Sequence, residues 1–179
     1  MKKVILFLLS FIFMVGCNNL MNTPTKKVEE FLNRYQTLDN DVISQLNYTL
    51  DENYTLTDIQ KEDYRAVMKK QYKDLVYTIK EETVDGDTAI VTVEIEVYDY
   101  SKAILEADEH LLNNPDEFLN DDGMSDIETF IDFKIDMISK STDRVKYTLD
   151  LSLLKDGDVW KMNDITEIDR QKIHGIYNY

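Results

Sequence analysis

The chain has 179 residues and a mass of 21.0 kDa, with 35 Asp and Glu against 20 Lys and Arg and a net charge of −15. So acidic a chain lacks the basic face that phosphate contacts require, which argues against a nucleic-acid binder. Its single cysteine excludes an intrachain disulfide and a CxxC zinc site, and 43% hydrophobic residues with 11% aromatics can fill the core of one domain, which argues against wholesale disorder.

Lys2 and Lys3 precede an apolar run from Val4 to Val15 that only Ser10 interrupts. A membrane span needs about 20 residues, so this run is too short to cross and has instead the length of a secretory h-region. It ends in Met14-Val15-Gly16-Cys17. A small residue followed by cysteine at this point resembles the lipobox of bacterial lipoproteins, with Met14 where that family has leucine. The resemblance implies diacylglyceryl transfer to the Cys17 thiol and cleavage between Gly16 and Cys17. Residues 1–16 are then a lipoprotein signal peptide and 17–23 a lipidated tether. An acyl anchor of the palmitate type would hold the protein on the extracytoplasmic face of the cell membrane, with the bilayer as its first partner. A secreted domain with no disulfide must be held by its core alone, which favours a Gram-positive surface over a periplasm.

Residues 24–179 are expected to form one domain. Thr23 and Pro24 read as a helix cap and first position, followed by Val28, Phe31, Leu32, Tyr35 and Leu38 on one face. A shorter helix is expected over Asp39–Leu50. Thr57 and Gln60 form a capping box that opens a third helix, with Ile59, Tyr64, Val67, Met68, Tyr72 and Leu75 as its apolar face. The period then falls to two. Tyr77 and Ile79 start a first strand, and Ala89, Val91, Val93, Ile95 and Val97 form the inner row of a second.

A helical insertion separates this hairpin from the next. Ser101 is expected to cap a helix bearing Ile104, Ala107, Leu111 and Leu112. Ser125 and Glu128 are expected to open another with Ile127, Phe130, Ile131 and Ile138 inward. Strands follow through Val145, Tyr147, Leu149, Leu151 and Leu153 and through Trp160 and Met162, and the tail from Thr166 suggests a helical turn ending near Gly175. Matching the apolar rows predicts two different turns. A three-residue loop Val84-Asp85-Gly86 sets Ile79 opposite Val91 and Tyr77 opposite Val93. A two-residue turn Asp156-Gly157 sets Leu153 opposite Trp160 and Leu151 opposite Met162.

No HExxH, GxSxG, Walker or dinucleotide motif is present, so no cofactor and no catalytic constellation is expected. Asp108, Glu109 and His110 are adjacent on a helix and point apart, which suits solvent better than a shared ion. Ala103 to Phe133 carries ten carboxylates and no Lys or Arg. Its Asn120-Asp121-Asp122-Gly123 loop fails the EF-hand pattern at Phe118 and Thr129, and a solvated acidic face is expected. Asp99 continues the inner row of the second strand. It would stand at the mouth of a cavity as a potential base, or in solvent if the strand has already ended. With Tyr77, Tyr147 and Trp160 on the inner face, it makes up a candidate binding wall.

The run Thr23 to Leu32, the two hairpins and the strand Asp156-Gly157-Asp158-Val159-Trp160-Lys161-Met162 together resemble the NTF2-like, or cystatin-like, domains of small Gram-positive surface lipoproteins. The resemblance implies an α+β roll, with N-terminal helices packed on a curved antiparallel four-stranded sheet and the helical insertion between two β-hairpins. That fold hosts enzymes and binding modules alike. Without a catalytic constellation, the expectation is a membrane-anchored, non-catalytic binding or interaction module for an unknown small ligand or protein. The alternatives are a pocket enzyme using an acid such as Asp99, or a structural or envelope-stress lipoprotein acting through a protein partner.

Overall fold

The computed structural model describes residues 22–178, so the leader, Cys17 and the tether up to Met21 lie outside the described residues. The described chain is α+β, with helices α1 (Pro24–Gln36), α2 (Asn40–Asp51), α3 (Asp58–Lys73), α4 (Tyr100–Asn113), α5 (Ile127–Lys140) and α6 (Glu167–His174). Strands β1 (Val76–Asp85), β2 (Thr88–Tyr98), β3 (Arg144–Asp156) and β4 (Val159–Met162) form an antiparallel sheet in the order β1-β2-β3-β4. The helical insertion, α4 with α5, leaves after β2 and returns to β3, yet β2 and β3 remain paired along their length.

Local chemistry explains the helix ends. The Thr23 hydroxyl accepts from the Lys26 amide, with Pro24 opening α1. Both halves of the Thr57–Gln60 capping box form at α3. Two expected caps fall elsewhere. Asp99, rather than Ser101, caps α4, and Asp126, rather than Ser125 with Glu128, caps α5. A carboxylate at a helix N-terminus meets the positive end of the dipole as well as free amides, and at both places one lay within two residues of the serine. Ile59, Leu112 and Ile127 point to solvent, against their expected inward placement, because each stands at the very start or end of its helix.

Alternation along β2 and β3 divides the sheet into two faces. Ala89, Val91, Val93, Ile95 and Val97 are buried beside Tyr147, Leu149, Leu151 and Leu153. The outer face carries polar pairs, including Glu94 with Lys80 at 3.2 Å and Lys146 at 3.3 Å. Helix α1 lies against the sheet at β1, β2 and β4; α3 packs on α1, α2, α5 and α6.

The two hairpins share one turn, contrary to the expectation of two. In each Asp-Gly-Asp the glycine takes the first of two turn positions with positive φ, +59° at Gly86 and +61° at Gly157. A β-bulge at Lys80 aligns the first apolar row, so Tyr77 pairs with Ile95 and Ile79 with Val93, rather than with Val93 and Val91. The bulge also turns Glu82 inward, where its carboxylate accepts from the Thr25 amide at 2.9 Å and hydroxyl at 2.6 Å, at the start of α1. In the second hairpin Leu153 pairs with Met162 and Lys155 with Trp160, two positions from the expected register. A shift of two keeps Trp160 and Met162 on the inner face, so the burial of Trp160 follows as expected.

Candidate functional site

The polar groups that converge on a cavity come from four helices. One face of α3 presents Tyr64, Met68 and Tyr72 at intervals of four; α6 presents Glu167, Arg170 and His174 at three and four; α2 supplies Val42, Leu46, Thr49 and Leu50; and α1 adds Tyr35. With Gln45 of α2 and Ile176, they line a surface-open cavity of about 350 Å³. Its aromatic wall is a series of tilted contacts. Phe31 meets Tyr35 edge-on at 5.4 Å, Tyr35 meets Tyr72 at 5.1 Å, and Tyr72 meets the His174 ring at 5.6 Å.

Tyr72 and His174 are joined by a hydrogen bond of 3.0 Å between the phenol oxygen and Nε2. Burial, then the Arg170 charge, pushes the His174 imidazole down to about 4, so it is neutral at neutral pH. Burial raises Tyr72, Tyr35 and Tyr64 above the ordinary phenol range, and Arg170 pulls the first two partly back. The guanidinium therefore acts on Tyr35, Tyr72 and His174 together. Its Nε lies 3.3 Å from Glu167, a mostly solvent-exposed carboxylate, and its terminal nitrogens have no partner among the described residues. The Tyr35 and Tyr64 hydroxyls likewise have no partner among the described residues, and neither oxygen is fully buried.

A second chamber of about 360 Å³ adjoins the first and shares Thr49, Leu50 and Tyr64 with it. Its walls are mostly aliphatic, with Leu56, Ile104, Ile131, Ile135 and Ile138, and include the polar side chains Asn53, Thr55 and Lys134, the last paired with Asp108 at 2.6 Å.

The residues singled out from sequence lie elsewhere. Tyr77, Ile95 and Tyr147 form one cross-strand row on the inner sheet face. Tyr147 is buried and donates to the Tyr177 carbonyl at 3.0 Å. Trp160 is buried in the same core, with the Lys155 ammonium 5.9 Å from its ring. Asp99 Oδ1 accepts from the Lys102 amide at 3.0 Å and the Ser101 hydroxyl at 2.7 Å as the α4 cap. None of the four lines either chamber. In the insertion, His110 stacks on Phe133 at 4.8 Å and its Nε2 meets Glu117 at 2.8 Å. Among the described residues no three His, Cys, Asp or Glu side chains are grouped to hold a metal ion, and no helix is long and apolar enough to cross a membrane.

The cavity residues were missed because they come from helices far apart in sequence, and only the fold unites them. A signal existed: tyrosine at positions 35, 64 and 72 on otherwise apolar faces, and Arg170 four residues before His174. Comparison with known proteins adds no relative, since no family profile, curated protein or solved structure matches the chain.

Proposed function

We propose that the protein is a lipid-anchored, extracytoplasmic binding module, held to the membrane through Cys17, whose ligand site is the cavity between α1, α2, α3 and α6. The sheet with helices on one face supports an NTF2-like roll carrying an added α4–α5 unit, a finer reading of the α+β architecture. One observation carries the non-catalytic reading. General acids and bases work best when their pKa lies near the operating pH. The Tyr72–His174 pair is displaced in the opposite sense at both ends, with a phenol that holds its proton more firmly and an imidazole held down to about 4. At neutral pH such a pair neither donates nor accepts readily; it fixes the wall of a binding pocket.

The test has two arms. Cys17→Ala should move the protein from the detergent phase to the soluble or unprocessed pool, because stable anchoring takes at least two acyl chains and a diacylglyceryl group supplies them. Unchanged partitioning would remove the anchor. In the second arm the protein is screened against hydrolase and isomerase substrates alongside a ligand library read by thermal shift. Turnover abolished by His174→Gln, with the fold retained, would replace the binding module by an enzyme.

A further inference from the structure

Resting on that reading of the cavity as a ligand site, the geometry points to the ligand's chemical class. We propose that the cavity takes an alkyl monocarboxylate, with its carboxylate on Arg170 and its chain directed past Tyr64 into the second chamber.

Arg170 is the only Lys or Arg among the residues lining the first chamber, in a protein that is otherwise strongly acidic. Its terminal nitrogens are unpartnered among the described residues, and its single ion pair, through Nε, leaves the far edge of the fork open. A planar two-oxygen anion fits that edge bidentately, as a guanidinium recognises carboxylate. The Tyr35 hydroxyl has no partner and lines the same chamber, so it can donate to the same anion. A phosphate dianion fits less well. One cation would face two charges, with Glu167 beside it and a strong overall negative field around it. A cationic head would meet Arg170 itself.

The remaining walls specify the rest of the molecule. Val42, Leu46, Leu50, Met68 and Ile176 offer no polar group to a ligand, and Gln45 and Thr49 are the uncharged polar side chains that α2 adds to the wall. The second chamber, which shares Thr49, Leu50 and Tyr64 with the first, is lined mainly by aliphatic side chains, among them Ile131, Ile135 and Ile138, and the charge of its Lys134 is met by Asp108 at 2.6 Å. A head-and-tail ligand satisfies both ends: charge at α6, hydrocarbon along α2 towards α5.

The experiment is calorimetric titration of the full chain in nanodiscs with octanoate, decanoate, octanol and octyltrimethylammonium, with empty nanodiscs subtracted. Expected is saturable octanoate binding, tightened about threefold to fourfold per added methylene in decanoate. Arg170→Gln should weaken octanoate by about tenfold to a hundredfold, the range of a charge-assisted hydrogen bond, and leave octanol within about twofold. Should Arg170→Gln lower the melting temperature, Tyr35→Phe provides the second reading, with a smaller loss confined to the carboxylates. Ile131→Phe, which narrows the second chamber, should abolish the gain from octanoate to decanoate. Equal binding of octanoate and octanol, tighter binding of the ammonium, or indifference to Arg170→Gln would overturn the assignment while leaving a binding module in place. Absence of binding by all four probes would also overturn it, and the library screen would then decide the wider reading.

Discussion

Gln71 ties three elements of the fold together through a single side chain. It is fully buried on α3. Its Oε1 accepts from the Tyr98 amide at 2.9 Å, and its Nε2 donates to the Tyr98 carbonyl at 3.0 Å and the His174 carbonyl at 2.9 Å. One amide thus joins α3, the end of β2 and the end of α6. Gly175 stands at the same point with φ +71°, and a Cβ there would overlap both the Tyr98 carbonyl oxygen and Gln71 Nε2. Gln71→Leu keeps the volume close but leaves three buried backbone groups unpaired. At about 1–3 kcal/mol each, less the gain from burying leucine carbons, the loss is about 3–5 kcal/mol. For a domain with about 5–15 kcal/mol in all, that is a large fraction. Urea unfolding of wild type and variant measures it, and amide exchange at Tyr98 should rise above that at Val93. Gly175→Ala should cost a similar amount through sterics and left-handed strain, and the double variant should lose much less than the sum because both break one junction. A Gln71→Leu loss under about 1 kcal/mol, or full additivity with Gly175→Ala, would refute the junction.

Three further outcomes follow from the same structure. Trp160→Ala should cost about 3–5 kcal/mol as a large core truncation, and the wild-type emission from this sole tryptophan should be blue-shifted; a water-like spectrum would contradict its burial. His174, near Arg170, Glu167, Tyr35 and Tyr72, is held down to about 4 when folded and titrates near 6.5 when unfolded. The unfolded chain therefore binds the extra proton first, and the stabilisation, whole above pH 6.5, is lost by about 3 kcal/mol as pH falls to 4. His174→Gln should remove that slope, and unchanged pH dependence of the variant would refute it. Gln60, buried, donates to Asp132 Oδ1 at 2.8 Å and to the Glu128 carbonyl at 3.1 Å. Gln60→Glu preserves the capping box but sets two carboxylates together, so it should destabilise by about 1–3 kcal/mol at pH 7 and less at pH 4, a difference that chemical unfolding at both pH values resolves.

Legibility from sequence depended on how local the cause was. The caps at Thr23 and Thr57 and the inner rows of β2 and β3 rest on interactions within a few residues, and they could be read directly. The register of β1 could not, because a bulge at Lys80 and a longer loop both align the same apolar row, and only the turn energetics chooses between them. Asp99 illustrates the limit for function. Period-two alternation carries it onto the inner row, but the Lys102 amide and Ser101 hydroxyl take its carboxylate first. The cavity was least legible of all. His174 and Tyr72 are 102 positions apart and meet only because Gln71 and Gly175 dock α6 against α3.

The two ends of the sheet carry different tasks. At one end lie both hairpin turns and the start of the described chain. The Asn22 side chain accepts from the Trp160 amide at 3.1 Å and donates to the Asp158 carbonyl, which pins the entry to α1 along the edge strand β4. At the other end β2 passes into α4 and α5 returns to β3, and the Asp99 amide donates to the Asp143 carbonyl at 2.9 Å. The insertion thus begins and ends at adjacent points, which lets a long excursion join the fold without disturbing strand order. The eleven residues of β2 separate the two ends by roughly 35 Å at about 3.4 Å per residue. With the lipid proposed at Cys17, the five steps to Asn22 reach at most about 18 Å. On that proposal the bilayer faces the hairpin turns, and the insertion that bears the ten carboxylates between Ala103 and Phe133 leaves and rejoins the sheet at the opposite end. For an anionic membrane surface that is the orientation of lower electrostatic energy, since repulsion between like charges fades within a Debye length of about 8 Å at physiological salt.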